Sequence, residues 1–230
     1  MSTSEEMVVL AASDGFKFDA FVAHASGTRK GGLVILQEIF GLTDQLRSVA
    51  RGFAADGYDT IVPALFDRVS PKTVVPFDDP DAGRALMSRL DGDKVMLDIE
   101  AARNHVDHGK GVSLLGFCWG GGQALRAACT LDLTCSISYY GTRLTDFLAA
   151  PPRCPMLFHF GETDMMNTPP EVIKKVRDAI PGAETYVYAA GHAFANDARK
   201  TYVPDAAIPA REWSLSFLNR HHQKVAELAR

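Results

Sequence analysis

The 230-residue chain lacks several features that would assign it to a specialised class. No apolar run approaches the roughly 18 residues that a membrane-spanning helix requires, so no membrane partner is expected. No block of Lys and Arg is present, and 24 basic against 28 acidic residues leave a formal net charge of −4. Nucleic-acid binding rests on clustered cations, so a nucleic-acid partner is not expected either. Residues 1–6 are polar and acidic, where a secretory signal would be basic and then apolar. A cytoplasmic location is the expectation that follows. Cysteine is scarce: Cys118, Cys129, Cys135 and Cys154 are the four, and none forms a C-x-x-C pair. That leaves a zinc ribbon or a thioredoxin-like motif without support. A chain of this length buries a core without disulfides, and Cys129, Cys135 and Cys154 read as buried small hydrophobes. Internal repeats, low-complexity stretches and Pro/Gly/Ser linkers are absent too, so residues 1–230 are expected to form a single domain.

What is present is an alternation of short apolar runs with helical patterns. Met7–Ala12 and Phe16–His24 flank the turn pair Asp14-Gly15 and read as a hairpin. Gly32–Leu36 and Tyr58–Val62 read as strands buried on both faces. Between them, Thr43 can cap a helix over Asp44–Asp56 that stops at Gly57. Residues 64–80, with Pro71, Pro76 and Pro80, read as irregular, followed by helices over Asp81–Leu90 and Lys94–His108. Further strands are expected at Val112–Leu115, Cys135–Tyr140, Met156–Phe160 and Glu184–Tyr188. Helices are expected at Trp119–Thr130, Pro170–Ile180 and Ala206–His222. This alternation predicts an α/β fold, a mostly parallel sheet with helices on both faces and the hairpin as an antiparallel edge.

The strongest chemical signal is Gly116-Phe117-Cys118-Trp119-Gly120-Gly121-Gly122, placed after a strand and at the start of a helix. A G-x-nucleophile-x-G string in that context is a nucleophile elbow. The chain reverses so sharply there that the flanking glycines must lack side chains, and the helix N-terminus aimed at the sulfur favours thiolate. A thiol nucleophile needs a base. Of the seven histidines, His105, His108, His221 and His222 read as solvated helix positions, and His159 as a core residue within Leu157–Phe160. His192 stands out because it follows a strand in the loop Ala189-Ala190-Gly191-His192. The orienting carboxylate is expected in Gly161-Glu162-Thr163-Asp164, with Asp164 the better placed and Glu162 in reserve. The order Cys, Asp, His is that of α/β-hydrolases. Upstream, Gln37-Glu38-Ile39-Phe40-Gly41 follows a buried strand. Its position suits the Ile39 N–H for an oxyanion hole, with the Trp119 N–H as the other half.

Together these stretches resemble the dienelactone hydrolase family, which has the α/β-hydrolase fold and a cysteine nucleophile. The resemblance covers nearly the whole chain and rests on Gln37–Gly41, Gly116–Gly121, Gly161–Asp164 and Gly191-His192-Ala193-Phe194. It implies hydrolysis of an enol-lactone such as 4-carboxymethylenebut-2-en-4-olide, through a thiolester on Cys118 and without cofactor or metal. The alternatives are a broader carboxylesterase or thioesterase with the same Cys118, His192 and Asp164, or a non-catalytic small-ligand receptor. The resemblance also implies that Glu38 partners the resting Cys118 thiol and leaves it when substrate binds. Phe40, Arg84, Phe194 and Asn196 are the substrate-binding candidates. Family members that bind a substrate carboxylate carry Ser directly after the histidine and Arg three residues later. Here those positions hold Ala193 and Asn196, so an anion contact would have to move to Arg84 or Arg199. The partner expected is a small lactone or ester, and the assembly a monomer or small homo-oligomer.

Overall fold

A computed structural model describes residues 4–228 of the chain. The start of the acidic N-terminal stretch lies outside the described residues. The chain divides into two compact units, the first ending at Ser113 and the second beginning at Leu114.

In the first unit, β1 (Glu5–Ala11) and β2 (Lys17–Ala23) form the expected hairpin. Gly15 takes φ 82°, which the turn requires and a side chain would resist. β3 (Gly31–Leu36) is buried along its whole length. It leads to α1 (Asp44–Ala55), whose N-cap Thr43 accepts a hydrogen bond from the Leu46 N–H at 3.3 Å. Gly57 then returns the chain at φ 100° into β4 (Tyr58–Pro63). The strand order is β1-β2-β4-β3, antiparallel except for the parallel β3–β4 pair. Residues 64–80 are less irregular than their prolines suggest, because Leu65–Arg68 closes a turn of 3-10 helix. α2 (Pro80–Ser88) and α3 (Gly92–His105) follow. α3 stops at His105 rather than His108. His108 lies beyond the helix with its Nε2 3.5 Å from the buried Asp59, not simply in solvent.

Arg68 holds three parts of this unit together. Its guanidinium donates at 2.7 and 2.8 Å to Asp98 on α3 and at 2.9 and 3.2 Å to Asp14 in the hairpin turn, while lying over the Phe16 ring. Burial pushes the Asp98 carboxyl up from 3.8 to about 6, and the Arg68 fork pulls against that rise. A folded-state value above the unfolded one gives a contribution that is full below 3.8 and lost as pH rises through about 6.

The second unit carries β5 (Val112–Phe117), whose first two residues precede the division, and α4 (Trp119–Thr130). It continues through β6 (Ser136–Tyr139), β7 (Met156–Gly161), α5 (Pro170–Ala179), β8 (Glu184–Tyr188) and α6 (Pro204–Leu228). β5, β6, β7 and β8 pair in that order, all parallel. Central strands buried on both faces, such as β5 and β7, account for the uninterrupted apolar runs. β6 ends at Tyr139, one residue short of the expected strand, because Tyr140 turns to φ 37°. α6 runs six residues past the expected end at His222 and carries Pro209 in its interior. His222 is therefore not a solvated terminus. It sits one turn after Leu218 on the inward face and is only 3 % exposed. Cys129 is half-buried, its thiol toward the Ala150 carbonyl at 3.4 Å, whereas Cys135 and Cys154 are buried as expected.

Replacing Arg68 by Leu strands the Asp98 charge in the interior. It should lower unfolding stability by about 3–5 kcal/mol at neutral pH, measured by denaturant titration. Below about pH 6 Asp98 takes up a proton, so the loss should shrink there. An equal loss at both pH values would show that the pair does not carry the effect.

Candidate active site

Cys118 lies between β5 and α4 as the cap residue of the helix, with φ 54° and ψ −117°, a conformation that costs a non-glycine residue of order 1–3 kcal/mol. The turn persists because its backbone groups are held. The Cys118 N–H donates to the Tyr139 carbonyl at 3.0 Å, and the Cys118 carbonyl accepts from Thr142 at 2.9 Å and Gly121 at 3.0 Å. A side chain at Gly116 would collide with the Gly120 carbonyl. One at Gly121 would meet the Gly141 Cα and the Ser138 Oγ, each at 2.8 Å. Glycine at those two positions lets the reversal close.

Asp164 lies in the loop after β7 and His192 in the loop after β8. Parallel pairing of these strands brings the loops side by side, and the Thr163 N–H donates to the Ala190 carbonyl at 3.0 Å. His192 Nδ1 and Asp164 Oδ2 are 2.6 Å apart. Asp164, the acid preferred from the sequence, is 3 % exposed, whereas Glu162, held in reserve, faces solvent. Burial pushes the Asp164 carboxyl up, but its bonds to His192 and Asn167 outweigh that and hold it below the usual carboxylate value. For His192, burial pushes the imidazole pKa down. Hydrogen bonds to Asp164 and to the Cys118 side chain override burial and carry it from 6.5 to about 10. The imidazole thus links the cysteine to the carboxylate. Its contribution to stability is full below 6.5 and is lost as pH rises through about 10.

Three neighbours had no signal in the sequence. Asn167 and Thr168 both donate to Asp164: the Asn167 amide to Oδ1 at 2.9 Å and the Thr168 hydroxyl to Oδ2 at 3.3 Å. Tyr140 packs its ring edge-on against His192, with centroids 5.2 Å apart. An Asn and a Thr after an acid are ordinary loop residues, and only folding turns them back toward it. Between them and Asp164, Met165 and Met166 face solvent.

His159 is a core residue, as its apolar surroundings suggested. Burial lowers its pKa to about 3, and its ring nitrogens lie 2.9 Å from the Tyr188 hydroxyl and 2.9 Å from the Ser214 Oγ. If Tyr139 donates to the Ala210 carbonyl, the remaining protons follow. Ser214 then donates to Tyr139, His159 Nε2 to Ser214, and Tyr188 to Nδ1. A neutral imidazole whose two nitrogens are both engaged has no capacity left to act as a base.

The other candidates fall as follows. Trp119 is the first residue of α4 and is buried. Phe194 packs on Tyr140 and Tyr188, with centroids 5.3 and 5.2 Å away. Asn196 is 2 % exposed and its Oδ1 accepts the Ala198 N–H at 3.1 Å, closing a local turn. Ala193, directly after the histidine, takes φ 62°. Glu38, Ile39 and Phe40 belong to the first unit, in the loop after β3, and all three are buried. The Phe40 carbonyl accepts from the Val75 N–H at 2.9 Å, its ring meets Phe77 edge-on, and Gly83 of α2 packs on the Ile39 carbonyl. Arg84 on α2 is more than half exposed and pairs with Asp81 at 2.5 Å. Among the described residues, no group of three or more His, Cys, Asp or Glu side chains is placed to hold a metal ion. No helix among them is long and apolar enough to cross a membrane.

A parallel sheet, a strained cysteine turn between strand and helix, and a histidine–carboxylate pair on later loops define the α/β-hydrolase fold. The sequence model of the dienelactone hydrolase family matches residues 18–222, and the chain belongs to that family. It is 32 % identical over 226 residues to the carboxymethylenebutenolidase of Pseudomonas putida, covering 93 % of this chain and 95 % of that protein. The dienelactone hydrolase of Anabaena variabilis superposes with a TM-score of 0.68 at 18 % identity, covering 94 % of this chain and 97 % of that one. A dienelactone hydrolase-like promiscuous phosphotriesterase from metagenomic libraries superposes at 0.73 and 18 % identity, with 94 % and 98 % covered. These two structures bear on the fold alone. Hydrolase activity directed at lactones comes with the family and its curated relatives.

The His192 ring should titrate far above an ordinary imidazole in an NMR pH series, near 10 in the wild type. Asp164→Asn should lower that midpoint by about one unit or more, because the neutral amide removes the charge opposite Nδ1. A wild-type midpoint near 6.5 would contradict the hydrogen-bonded assembly described here.

Proposed function

We propose that the chain hydrolyses an activated lactone or ester of the enol type, with Cys118 as nucleophile, His192 as proton carrier and Asp164 as its orienting partner. The observation that carries this reading is the position of His192, bonded to Asp164 at 2.6 Å and hydrogen-bonded to the Cys118 side chain. In the first half-reaction the Cys118 proton lies on His192 before the attack, in keeping with the raised pKa of that ring, and the sulfur then attacks the acyl carbon. The ring C–O bond breaks, and the leaving enolate oxygen takes that proton from His192, which is left neutral. A thiolester remains. In the second half, His192 accepts a proton from water, whose oxygen attacks the thiolester and expels the Cys118 sulfur. Acid and enol are the products.

The choice of substrate type has a physical basis. A tetrahedral adduct on sulfur expels thiolate readily, so a poor leaving group such as an alkoxide or amine returns to starting material. An enolate leaves without strong acid assistance. Dienelactone-type substrates and aryl esters suit such a centre; amides and simple alkyl esters do not.

Cys118→Ala and His192→Ala should each abolish nearly all turnover of a chromogenic aryl ester, and the double variant should lose little more, because residues acting as one unit are non-additive. Independent, multiplying losses, or one variant near wild type, would refute the assignment.

Ala193 and Asn196 further support a preference for uncharged substrates. The Asn196 oxygen is engaged in its local turn, and an amide offers no bidentate, charged contact to a carboxylate. Losing such a contact costs about 1.5–3 kcal/mol, or roughly ten- to a hundredfold in kcat/KM. In a panel of matched enol-lactones with and without a carboxylate, the neutral member should be turned over with the higher kcat/KM. Preference for the carboxylated member would place an anion contact elsewhere in the chain.

A further inference from the structure

We infer that Asn167 is a positioning residue of the hydrolytic centre, fixing which oxygen of Asp164 faces the imidazole and restraining the basicity of His192. The inference rests on the Cys118–His192–Asp164 reading above. A carboxylate turns about its last torsion with little preference, so either oxygen could face His192 unless something distinguishes them. Here the two oxygens have different partners. Oδ1 receives two N–H groups of Asn167, the side-chain amide at 2.9 Å and the backbone at 3.3 Å. Oδ2 receives His192 Nδ1 at 2.6 Å and the Thr168 hydroxyl at 3.3 Å. Rotating the carboxylate would break the Asn167 bonds before it could offer Oδ1 to the ring.

The same amide nitrogen lies 3.2 Å from His192 Nδ1, so Asn167 touches both members of the pair. Its orientation follows from chemistry: the carboxamide oxygen in that place would face the Asp164 carboxylate and be repelled, so the NH2 group points inward. An NH2 group beside Nδ1 presents a partial positive charge to a ring that is to carry a full one. It also draws part of the Asp164 charge toward itself. Both effects lower the affinity of His192 for a proton. The groups facing the ring are Asp164 and Asn167 from the loop after β7, Cys118 from the elbow, and Tyr140 from the end of β6. Asn167 opposes the upward pull of Asp164 and Cys118. A base whose pKa lies too far above ambient pH returns its proton poorly, and restraint of this kind serves a residue that must both accept and release one.

The test uses Asn167→Ala and Asn167→Asp in the full-length protein, read by aryl-ester kinetics and by the His192 NMR titration. Asn167→Ala should lower kcat about tenfold with KM nearly unchanged, as expected for loss of a bond to a charged group. The His192 midpoint should rise by about half a unit to one unit. Asn167→Asp removes the same donor and adds a negative charge, so the midpoint should rise further. A fall in kcat with the midpoint unmoved in both variants would reduce Asn167 to loop structure and overturn the inference, as would wild-type kinetics in Asn167→Ala. The two readings fail separately. If Cys118→Ala retains turnover, the hydrolytic assignment falls. If Cys118→Ala is inactive while both Asn167 variants match wild type, only the role of Asn167 falls.

Discussion

A cysteine held at φ 54° is the constraint on which the rest of the second unit depends. The conformation is unfavourable by itself, and it survives because the neighbouring chain leaves no alternative. The end of β6 accepts its N–H, Thr142 and the first turn of α4 satisfy its carbonyl, and glycines occupy the places where a Cβ would obstruct the reversal. The strain has a use. It lifts one side chain clear of the strand and sets it at the start of a helix, where backbone N–H groups are unsatisfied.

His192 reaches that side chain by a different route. Neither His192 nor Asp164 is strained; each sits in a loop whose position is set by a parallel strand pair. β7 and β8 run in register, so their following loops emerge together, and a backbone hydrogen bond ties one to the other. Rigid strands therefore control a distance between two side chains that are 28 residues apart in the chain. Asn167, Thr168 and Tyr140 then limit the orientations left to the carboxylate and the ring. Electrostatics comes last: hydrogen bonds to Asp164 and to the Cys118 side chain raise the His192 pKa, overriding the desolvation that lowers that of His159 one strand away.

In the first unit a buried ion pair serves stability instead. Arg68 spans a hairpin turn, a 3-10 turn and α3 with a single planar group. That multiplicity explains why an interior charge is tolerated: each oxygen of Asp98 has its own donor, and the guanidinium face lies on an aromatic ring.

Much of this was legible in the chain itself. Short apolar runs set the strands, Thr43 and Gly57 marked the ends of α1, and the glycines around Cys118 identified the elbow, because these are local rules of backbone geometry and burial. The places of Cys118, Asp164 and His192 were readable for the same reason: each lies just past a strand. Position along the loop favoured Asp164 with Glu162 in reserve, but that one is buried and the other exposed is a matter of tertiary packing. Local rules could not place His222 inside, because α6 continues past the point where its pattern fades and packing carries the helix on. Asn167 belongs wholly to the tertiary structure. Nothing in its identity marks it, and its contacts exist only because the loop after β7 folds back over its own carboxylate and meets a histidine delivered by the next strand.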